Sequence, residues 1–281
     1  MARADRPTRD GRLLVYRHPL LVRATHWVNA LCLLVLLMSG LQILSAHPAF
    51  YWGDVSTFAR PFMAVGSGMD ARGGTRGMFR LLDYHADTTG FLGAVKDSSG
   101  QIQAQAFPSW ATLPSYHDLG EGRRWHFFFA WALVLNAGLY LAQGLLSGRL
   151  RREMLPSRDQ LGRIGQTIWE HLRLHFPKGE EARHYNVLQK LAYLAVIGGL
   201  APLMVLTGLA MSPGMDAWIH GLPAVFGGRQ SARTIHFLVA STLVLFFVVH
   251  ILMVLLAGPL NELRSMVTGW FAIRPQAEEK P

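Results

Sequence analysis

Four apolar runs of about 20 residues each constrain this chain more than any other feature of its sequence. None of them contains an aspartate or a glutamate, and of the 281 residues 51% are hydrophobic while only 16% are charged. A helix needs about 20 apolar residues to cross the hydrocarbon core of a bilayer. The runs therefore predict transmembrane helices rather than the interior of a soluble protein. They cover residues 20–45, 124–146, 187–211 and 235–257.

These spans predict an all-α integral membrane protein, a single domain over residues 1–281 that is built on a four-transmembrane-helix bundle. The first run is too long and too evenly apolar for a signal peptide, so we expect it to be retained. Residues 157–176 place apolar side chains at helical spacing with arginines between them, which predicts an amphipathic helix on the cytoplasmic face. The tail from Pro259 to Phe271 has the same character.

Lysine and arginine are distributed unevenly among the connections, and this predicts the orientation. Six arginines lie in the first 25 residues and eight basic residues in the loop 147–186, but only two in the short connection 212–234. Because short cytoplasmic segments are enriched in positive charge, we expect both termini in the cytoplasm and a multi-pass protein of the bacterial inner membrane. The net charge of +9 then faces anionic membrane lipid, and we expect no nucleic-acid partner.

The connection 47–123 is predicted to be a long periplasmic loop. Loops of this length usually have a function or are disordered. Trp52, Trp110 and Tyr116 are suited to anchoring at an interface, so we expect a folded cap that covers the outer cofactor and receives a partner. The alternative is a poorly ordered excursion. The loop contains no iron-sulfur or molybdenum-binding pattern, which indicates that the chain lacks substrate chemistry of its own.

Two histidines of the last span, His236 and His250, are fourteen residues apart. That spacing puts both imidazoles on nearly the same helix face, roughly 21 Å apart along the axis. The predicted topology then places His26 at the depth of His250, near the inner face, and His126 at the depth of His236, near the outer face. We call these the inner pair and the outer pair.

Imidazole is a common axial ligand of haem iron, and helical bundles build cofactor sites from side chains on facing helices. The inner pair is therefore predicted to bind the iron of one haem and the outer pair that of a second, so that the chain conducts electrons across the bilayer. The sequence contains no CxxCH motif, so both haems are expected to be non-covalent haem b.

Each histidine also has a structural interpretation, in which it hydrogen-bonds a neighbouring helix through Ser39, Thr207 or a backbone carbonyl. Four histidines at two matching depths favour haem. His47 is the main alternative to His126 as the outer ligand, although Pro48 indicates a helix end there, and His117 is a weaker one. Cys32 is expected only to pack in the core. The histidines without a predicted role are His18, His85, His171, His175 and His220.

Three segments carry a resemblance to a known family. They are RATHWVNALCLLVLLMSGLQI in the first span, YNVLQKLAYLAVIGGLAPLMVLTGLAMSP in the third, and IHF followed by a histidine fourteen residues later in the last. They resemble the di-haem cytochrome b family, which supplies membrane subunits to nickel-iron hydrogenases, formate dehydrogenases and thiosulfate reductases. The resemblance implies four spans, two b haems, ligands at His26, His126, His236 and His250, and electron exchange between an outer subunit and quinone near the inner haem.

The resemblance also places a quinone site at Asn186, Gln189 and Lys190. Reducing a quinone takes two electrons and two protons, so the site needs hydrogen-bond donors and a path for protons from water. Asn186 offers an amide, Lys190 a cation, and His184 a group that titrates near neutral pH. The alternative is a polar helix start in which Lys190 extends to the lipid headgroups.

The leading hypothesis is an electron-transfer subunit of the respiratory chain that links the quinone pool to a periplasmic oxidoreductase of the molybdenum or hydrogenase type. A second hypothesis is a stand-alone quinol-linked cytochrome b with a small or soluble outer electron partner. The hypothesis from a different class is a transporter or passive anchor without haem. It lacks the intramembrane carboxylates and paired broken helices of many transporters.

Overall fold

The computed structural model describes residues 4–8, 11–97, 99–173 and 185–273, and this part of the chain is mostly helical. A short 3₁₀ helix covers Ser109–Ala111. The α-helices are α1 (Leu20–Ser45), α2 (Leu119–Leu146), α3 (Arg149–Met154), α4 (Arg158–Gly162), α5 (Ile164–Leu172), α6 (Val187–Ala195), α7 (Ala201–Met211), α8 (Pro213–Trp218), α9 (Leu222–Val225), α10 (Arg229–Ala257) and α11 (Pro259–Thr268).

Four helices are long and apolar enough to cross a membrane, namely α1, α2, the stretch Val187–Met211 and α10. This confirms the prediction that the four apolar runs form long helices suited to cross a membrane. Two of them begin earlier than their apolar runs, because polar groups cap the added turns. The Asp118 side chain accepts a hydrogen bond from the Glu121 amide at the start of α2. At the start of α10, the Gly53 carbonyl accepts hydrogen bonds from two backbone amides of the first turn.

The third span is interrupted by one π-helical segment, Val196–Leu200, between α6 and α7. This irregularity lies directly before Pro202. Proline has no amide hydrogen, so the carbonyl four residues earlier loses its usual donor. That carbonyl belongs to Gly198. The amide of Ala201, directly before the proline, reaches the Val196 carbonyl five residues back, as in the π-bulges that interrupt other helices.

The prediction of an all-α fold is wrong, since the loop 47–123 contains β-structure. Its strands are β3 (Ala49–Phe50), β4 (Met63–Met69), β5 (Thr75–Leu81), β6 (Tyr84–Asp87), β7 (Ala94–Lys96) and β8 (Ile102–Ala104), after β1 (Arg6–Pro7) and β2 (Leu13–Tyr16) near the N-terminus. The first four form an antiparallel sheet in the order β3-β4-β5-β6, and β7 pairs with β8. The loop is therefore a folded element rather than an irregular excursion.

A second departure from the all-α expectation joins the two ends of the described chain. Strand β2 pairs with β1 and with β9 (Trp270–Ile273), which follows α11. Leu13 lies opposite Ile273, and Tyr16 lies opposite Trp270. Val15, Phe271 and Ile273 are buried together in this sheet. The tail is thus helical as expected up to Thr268 and then becomes a strand.

The predicted cytoplasmic amphipathic helix is present as two shorter helices, α4 and α5, which are separated at Arg163. A capping box starts α4, in which Ser157 and Gln160 satisfy each other's backbone amides, a common way to begin a helix. Leu161 and Ile168 are exposed on these helices. Their location on the membrane surface stays a prediction.

The chain divides into two compact units, each of which contains a part of every span. The terminal unit comprises the described residues of Met1–Asn29, Leu135–Pro202 and Thr242–Pro281. The loop unit comprises those of Ala30–Val134 and Leu203–Ser241. The inner pair of histidines belongs to the terminal unit, and the outer pair belongs to the loop unit.

Candidate functional site: two pairs of histidines

Both predicted histidine pairs are present, one in each unit. In the terminal unit the ring centres of His26 on α1 and His250 on α10 are 6.4 Å apart, at an interplanar angle of 62°. In the loop unit the ring centres of His126 on α2 and His236 on α10 are also 6.4 Å apart, at 61°. The two sites therefore have the same local geometry.

This separation fits two imidazoles on opposite sides of one iron. A metal–nitrogen bond is about 2.0 Å long and the nitrogen lies about 1.1 Å from its ring centre, so imidazoles on opposite sides of a metal have ring centres roughly 6.2 Å apart. Two imidazoles at a tetrahedral metal would be closer, at roughly 5.1 Å. Among the described residues, no group of three or more His, Cys, Asp or Glu is placed to hold a metal ion. A porphyrin supplies four nitrogens of its own, so the iron of a haem needs only two ligands from the protein.

The histidine rings of the outer pair each contact a hydroxyl through Nδ1. Ser39 Oγ lies 3.1 Å from Nδ1 of His126, and Thr207 Oγ1 lies 3.0 Å from Nδ1 of His236. Both hydroxyl residues are fully buried. These are the hydrogen bonds that the structural interpretation of the sequence anticipated. They occupy Nδ1 only, so Nε2 of each ring remains the atom that can bind iron.

Two glycines leave space beside the same rings. A Cβ on Gly40 would lie 3.4 Å from Cε1 of His126, and one on Gly208 would lie 3.5 Å from Cε1 of His236. Any larger side chain at either position would extend further along the histidine ring. Glycine therefore keeps side-chain atoms away from the ring, as a flat macrocycle bound there would require.

Buried polar atoms without a partner lie near the inner pair. Within the described residues, His18 Nδ1 and Arg23 Nε have no hydrogen-bond partner. Burial, together with Arg17, lowers the pKa of His18 to about 3. Buried polar groups are normally satisfied, and these two unpaired nitrogens fit the propionate carboxylates of a haem. His18 is one of the histidines without a predicted role.

His47, the alternative outer ligand, lies just after α1. Its ring stacks on Tyr51 at a centre distance of 5.7 Å and meets Phe58 edge-on at the same distance, whereas the partner of His236 is His126. Burial and the neighbouring Arg233 lower the pKa of His47. His117, the weaker alternative, is an exposed residue of the loop.

Asn186, Gln189 and Lys190 lie together at the start of α6. The side chain of Asn186 accepts a hydrogen bond from the Gln189 amide, and Gln189 accepts one from the Asn186 amide, which is a capping box. Lys190 is buried rather than extended to the surface, and its Nζ lies 3.3 Å from the Leu155 carbonyl and 3.1 Å from Gln160 Oε1. His184 lies outside the described residues.

Sequence reasoning missed a series of aromatic rings that connects this region to the inner pair. Tyr185 contacts Tyr193 at 5.5 Å between ring centres, and Tyr193 contacts Phe246 at 6.5 Å. Phe246 stacks on His250 at 6.2 Å with an interplanar angle of 16°. One signal was available, since Phe246 precedes His250 by four residues and so lies on the same helix face.

Membrane-spanning helices that carry paired histidines suited to iron define an integral membrane protein of the haem-binding electron-transfer class. The chain belongs to the prokaryotic cytochrome b561 family, whose sequence pattern matches residues 17–269. Family membership implies haem b as the cofactor and haem-mediated electron transfer in the membrane. The resemblance to membrane cytochromes b is thereby confirmed.

The chain is also similar to a protein of Azospira oryzae named putative protein-methionine-sulfoxide reductase subunit YedZ1. The two are 28% identical over 252 residues, which is 90% of this chain and 96% of the relative. The similarity therefore covers both units.

Proposed function

We propose that this cytochrome carries electrons across the inner membrane through two b haems, between a periplasmic oxidoreductase and the quinone pool. The observation that carries the proposal is the repeated 6.4 Å separation of paired histidine rings. Haem b supplies a one-electron Fe(III)/Fe(II) couple when it is bound. A single haem near one face cannot pass its electron to the opposite face, so a second haem is needed there. Helix α10 carries one proposed ligand for each haem.

The inner haem is assigned to His26 and His250, and the outer haem to His126 and His236. On this assignment Arg23 and His18 hold the carboxylates of the inner haem, because they offer unpaired buried nitrogens. Gly40 and Gly208 leave room for the outer one. The chain as a whole remains a single membrane cytochrome domain over residues 1–281, with a periplasmic cap and a cytoplasmic loop between the second and third spans.

Quinone is proposed to exchange electrons at the terminal unit, next to Tyr185, Asn186, Gln189 and Lys190. The aromatic series that ends on His250 supports this location, because it joins the polar helix start to the inner pair. Quinone reduction also needs protons. Burial raises the pKa of Glu262 although Arg17 lies 3.9 Å away, so this carboxyl retains a proton more readily than an exposed glutamate does.

The loop unit is proposed to receive the oxidoreductase partner. Aromatic side chains stand exposed on it, including Phe58 and Trp110, each 75% exposed, and Trp218, 85% exposed. Exposed aromatic groups are characteristic of protein interfaces. The name of the Azospira relative favours a reductase, and a molybdenum-dependent reductase supplies the substrate chemistry that this chain lacks. Co-purification of an outer subunit separates this proposal from a stand-alone cytochrome that serves a small or soluble electron partner.

The test is the dithionite-reduced minus oxidised spectrum of the purified protein, with the haem content per chain, for the parent, His250→Ala and His236→Ala. We expect two b haems in the parent and the loss of a different one in each variant. His85→Ala is the matched control, since His85 is exposed on β6 of the cap, and it should retain both. A parent without haem, or spectra that neither ligand variant changes, would contradict the proposal.

A further inference from the structure

The hydroxyl groups beside the outer pair have a defined direction of hydrogen bonding. Ser39 Oγ lies 2.6 Å from the Val35 carbonyl, and Thr207 Oγ1 lies 2.7 Å from the Leu203 carbonyl. A carbonyl can only accept, so each hydroxyl donates its single hydrogen to its own helix. The oxygen is then left with lone pairs for the nearby histidine nitrogen.

This direction fixes the protonation of the two rings. Because each hydroxyl oxygen accepts, Nδ1 of His126 and Nδ1 of His236 must donate, and the proton of each neutral ring resides on Nδ1. Nε2 then carries the free lone pair that binds a metal. When one ring nitrogen of a histidine binds a metal, a hydrogen bond from the other nitrogen commonly fixes the tautomer of the ring and raises its basicity.

A matched sequence pattern provides the two contacts. Ser39 is followed by Gly40 on α1, and Thr207 is followed by Gly208 on α7. In each case the hydroxyl meets Nδ1 of the histidine ring, and the glycine faces Cε1 of the same ring. Two different helices therefore present the same hydroxyl–glycine pair to the two outer ligands.

The inner pair has no such contact. Among the described residues, neither His26 nor His250 forms a hydrogen bond through its ring, and the neighbour of His250 is the stacked ring of Phe246. The two histidine pairs have equal ring separations. What distinguishes the outer pair is its polar contacts, namely the two hydroxyls and the backbone of Leu36 beside His126 and of Met204 beside His236.

We propose, on the basis of the proposed function, that Ser39 and Thr207 are positioning residues that lower the reduction potential of the outer haem. By accepting the Nδ1 hydrogen bond, each hydroxyl shifts electron density towards Nε2 and so to the iron. A more electron-rich iron is stabilised in the ferric state, which makes its reduction less favourable. The hydroxyls also hold the rings in the tautomer that binds iron.

The test is a potentiometric titration of the full-length protein for Ser39→Ala, Thr207→Val and the double variant. The outer haem is identified as the one that His236→Ala loses. We expect its midpoint potential to rise in each single variant by about the equivalent of a tenfold change in the equilibrium constant, which is 59 mV for a one-electron couple. The rise should be larger in the double variant, and the inner haem should not change.

The controls separate a hydrogen bond from packing. Ser39→Thr and Thr207→Ser keep the hydroxyl and should restore the parent potential. Ser241→Ala removes a hydroxyl that bonds only the Phe237 carbonyl of its own helix and should have no effect. If a variant without the hydroxyl loses the outer haem, the variant that keeps a hydroxyl at the same position should still bind it. That result supports the positioning role, and loss of the outer haem in both variants overturns it.

A second measurement needs no haem. Nitrogen-15 NMR of histidine-labelled apoprotein should show Nδ1-protonated rings at positions 126 and 236 in the parent, and a changed Nδ1 chemical shift after removal of the hydroxyl acceptor. An unchanged outer potential in variants that retain both haems would overturn this inference and leave the proposed function intact. If His126→Ala and His236→Ala both retain the outer haem with an unchanged spectrum, the proposed function would be overturned instead.

Discussion

Two glycines determine how much room remains beside the histidine rings of the outer pair. Gly40 and Gly208 contact the histidine rings through the position where any other residue would carry a side chain. Glycine is otherwise a poor choice in a helix and costs about 1 kcal/mol relative to alanine. The space that it leaves beside the ring is the compensating benefit at these positions.

Replacing Gly40 with leucine is therefore expected to remove the outer haem while the inner haem stays. The branched side chain would extend beyond a Cβ that already lies 3.4 Å from the His126 ring, and it would occupy the volume of the macrocycle. The haem content and the reduced-minus-oxidised spectrum measure the loss. Gly138→Leu is the control, because a Cβ at Gly138 on α2 meets nothing within 4 Å. Equal haem content in the two variants would show that Gly40 does not border the site.

His18 is expected to make the stability of the protein depend on pH. Burial, Arg17, Arg149 and Arg23 depress its folded-state pKa to about 3 from 6.5, so the unfolded chain binds the proton first. The stability that the neutral ring supports is complete above pH 6.5 and is lost progressively as the pH falls from 6.5 towards 3. At pH 5 the loss amounts to about 2 kcal/mol.

Thermal unfolding in detergent at pH 7.5 and at pH 5 tests this effect. The midpoint temperature should fall further in the parent than in His18→Gln, which cannot gain the proton. Haem carboxylates beside His18 would favour its charged form, so the loss should be larger in haem-free protein than in loaded protein. An equal fall in parent and variant would exclude His18 as the source.

At the scale of elements, the first turns of α10 are stabilised by the loop that follows α1. Ser231 Oγ accepts a hydrogen bond from the Gly53 amide at 2.8 Å, and Thr234 Oγ1 donates to the Tyr51 carbonyl at 2.6 Å. Thr234 and Tyr51 are both buried. Side-chain hydrogen bonds that water cannot replace therefore connect the loop to the start of α10.

Thr234→Val should loosen this connection. The variant has the same shape but leaves the buried Tyr51 carbonyl without its donor, which costs about 1–3 kcal/mol. We expect a lower midpoint of thermal unfolding and faster limited proteolysis between residues 47 and 60. Ser241→Ala, which removes only an intrahelical bond, should leave both unchanged. Proteolysis at the parent rate in Thr234→Val would mean that other contacts hold the loop.

The spans could be predicted from the sequence because apolar length alone identifies them, and the histidines could be paired from their depths. The β-strands could not be predicted in the same way. Strands β2 and β9 are four residues each and lie near opposite ends of the chain. No local sequence pattern indicates that two such distant segments pair. The β4–β5 hairpin left one signal, since Asp70 accepts hydrogen bonds from the amides of Arg72 and Gly74, as turn-forming aspartates do.

At the scale of the whole molecule, the proposed function requires that the cap and the cytoplasmic loop lie on opposite sides of the membrane. Positive charge in the short segments predicts that residues 147–186 lie inside. The chain has one cysteine, Cys32, and it is buried in α1. Single cysteines introduced elsewhere can therefore report their side of the membrane against a low background.

Ala71→Cys, in the exposed turn between β4 and β5, should react with a membrane-impermeant maleimide on intact spheroplasts. Gly165→Cys, which is exposed on α5, should react only after permeabilisation, and the parent in neither condition. The opposite pattern would reverse the orientation and put the aromatic cap in the cytoplasm. In that case the partner would have to be a cytoplasmic oxidoreductase, and quinone would exchange electrons near the outer face. The labelling pattern thus decides which compartment supplies the partner, independently of how many haems the protein binds.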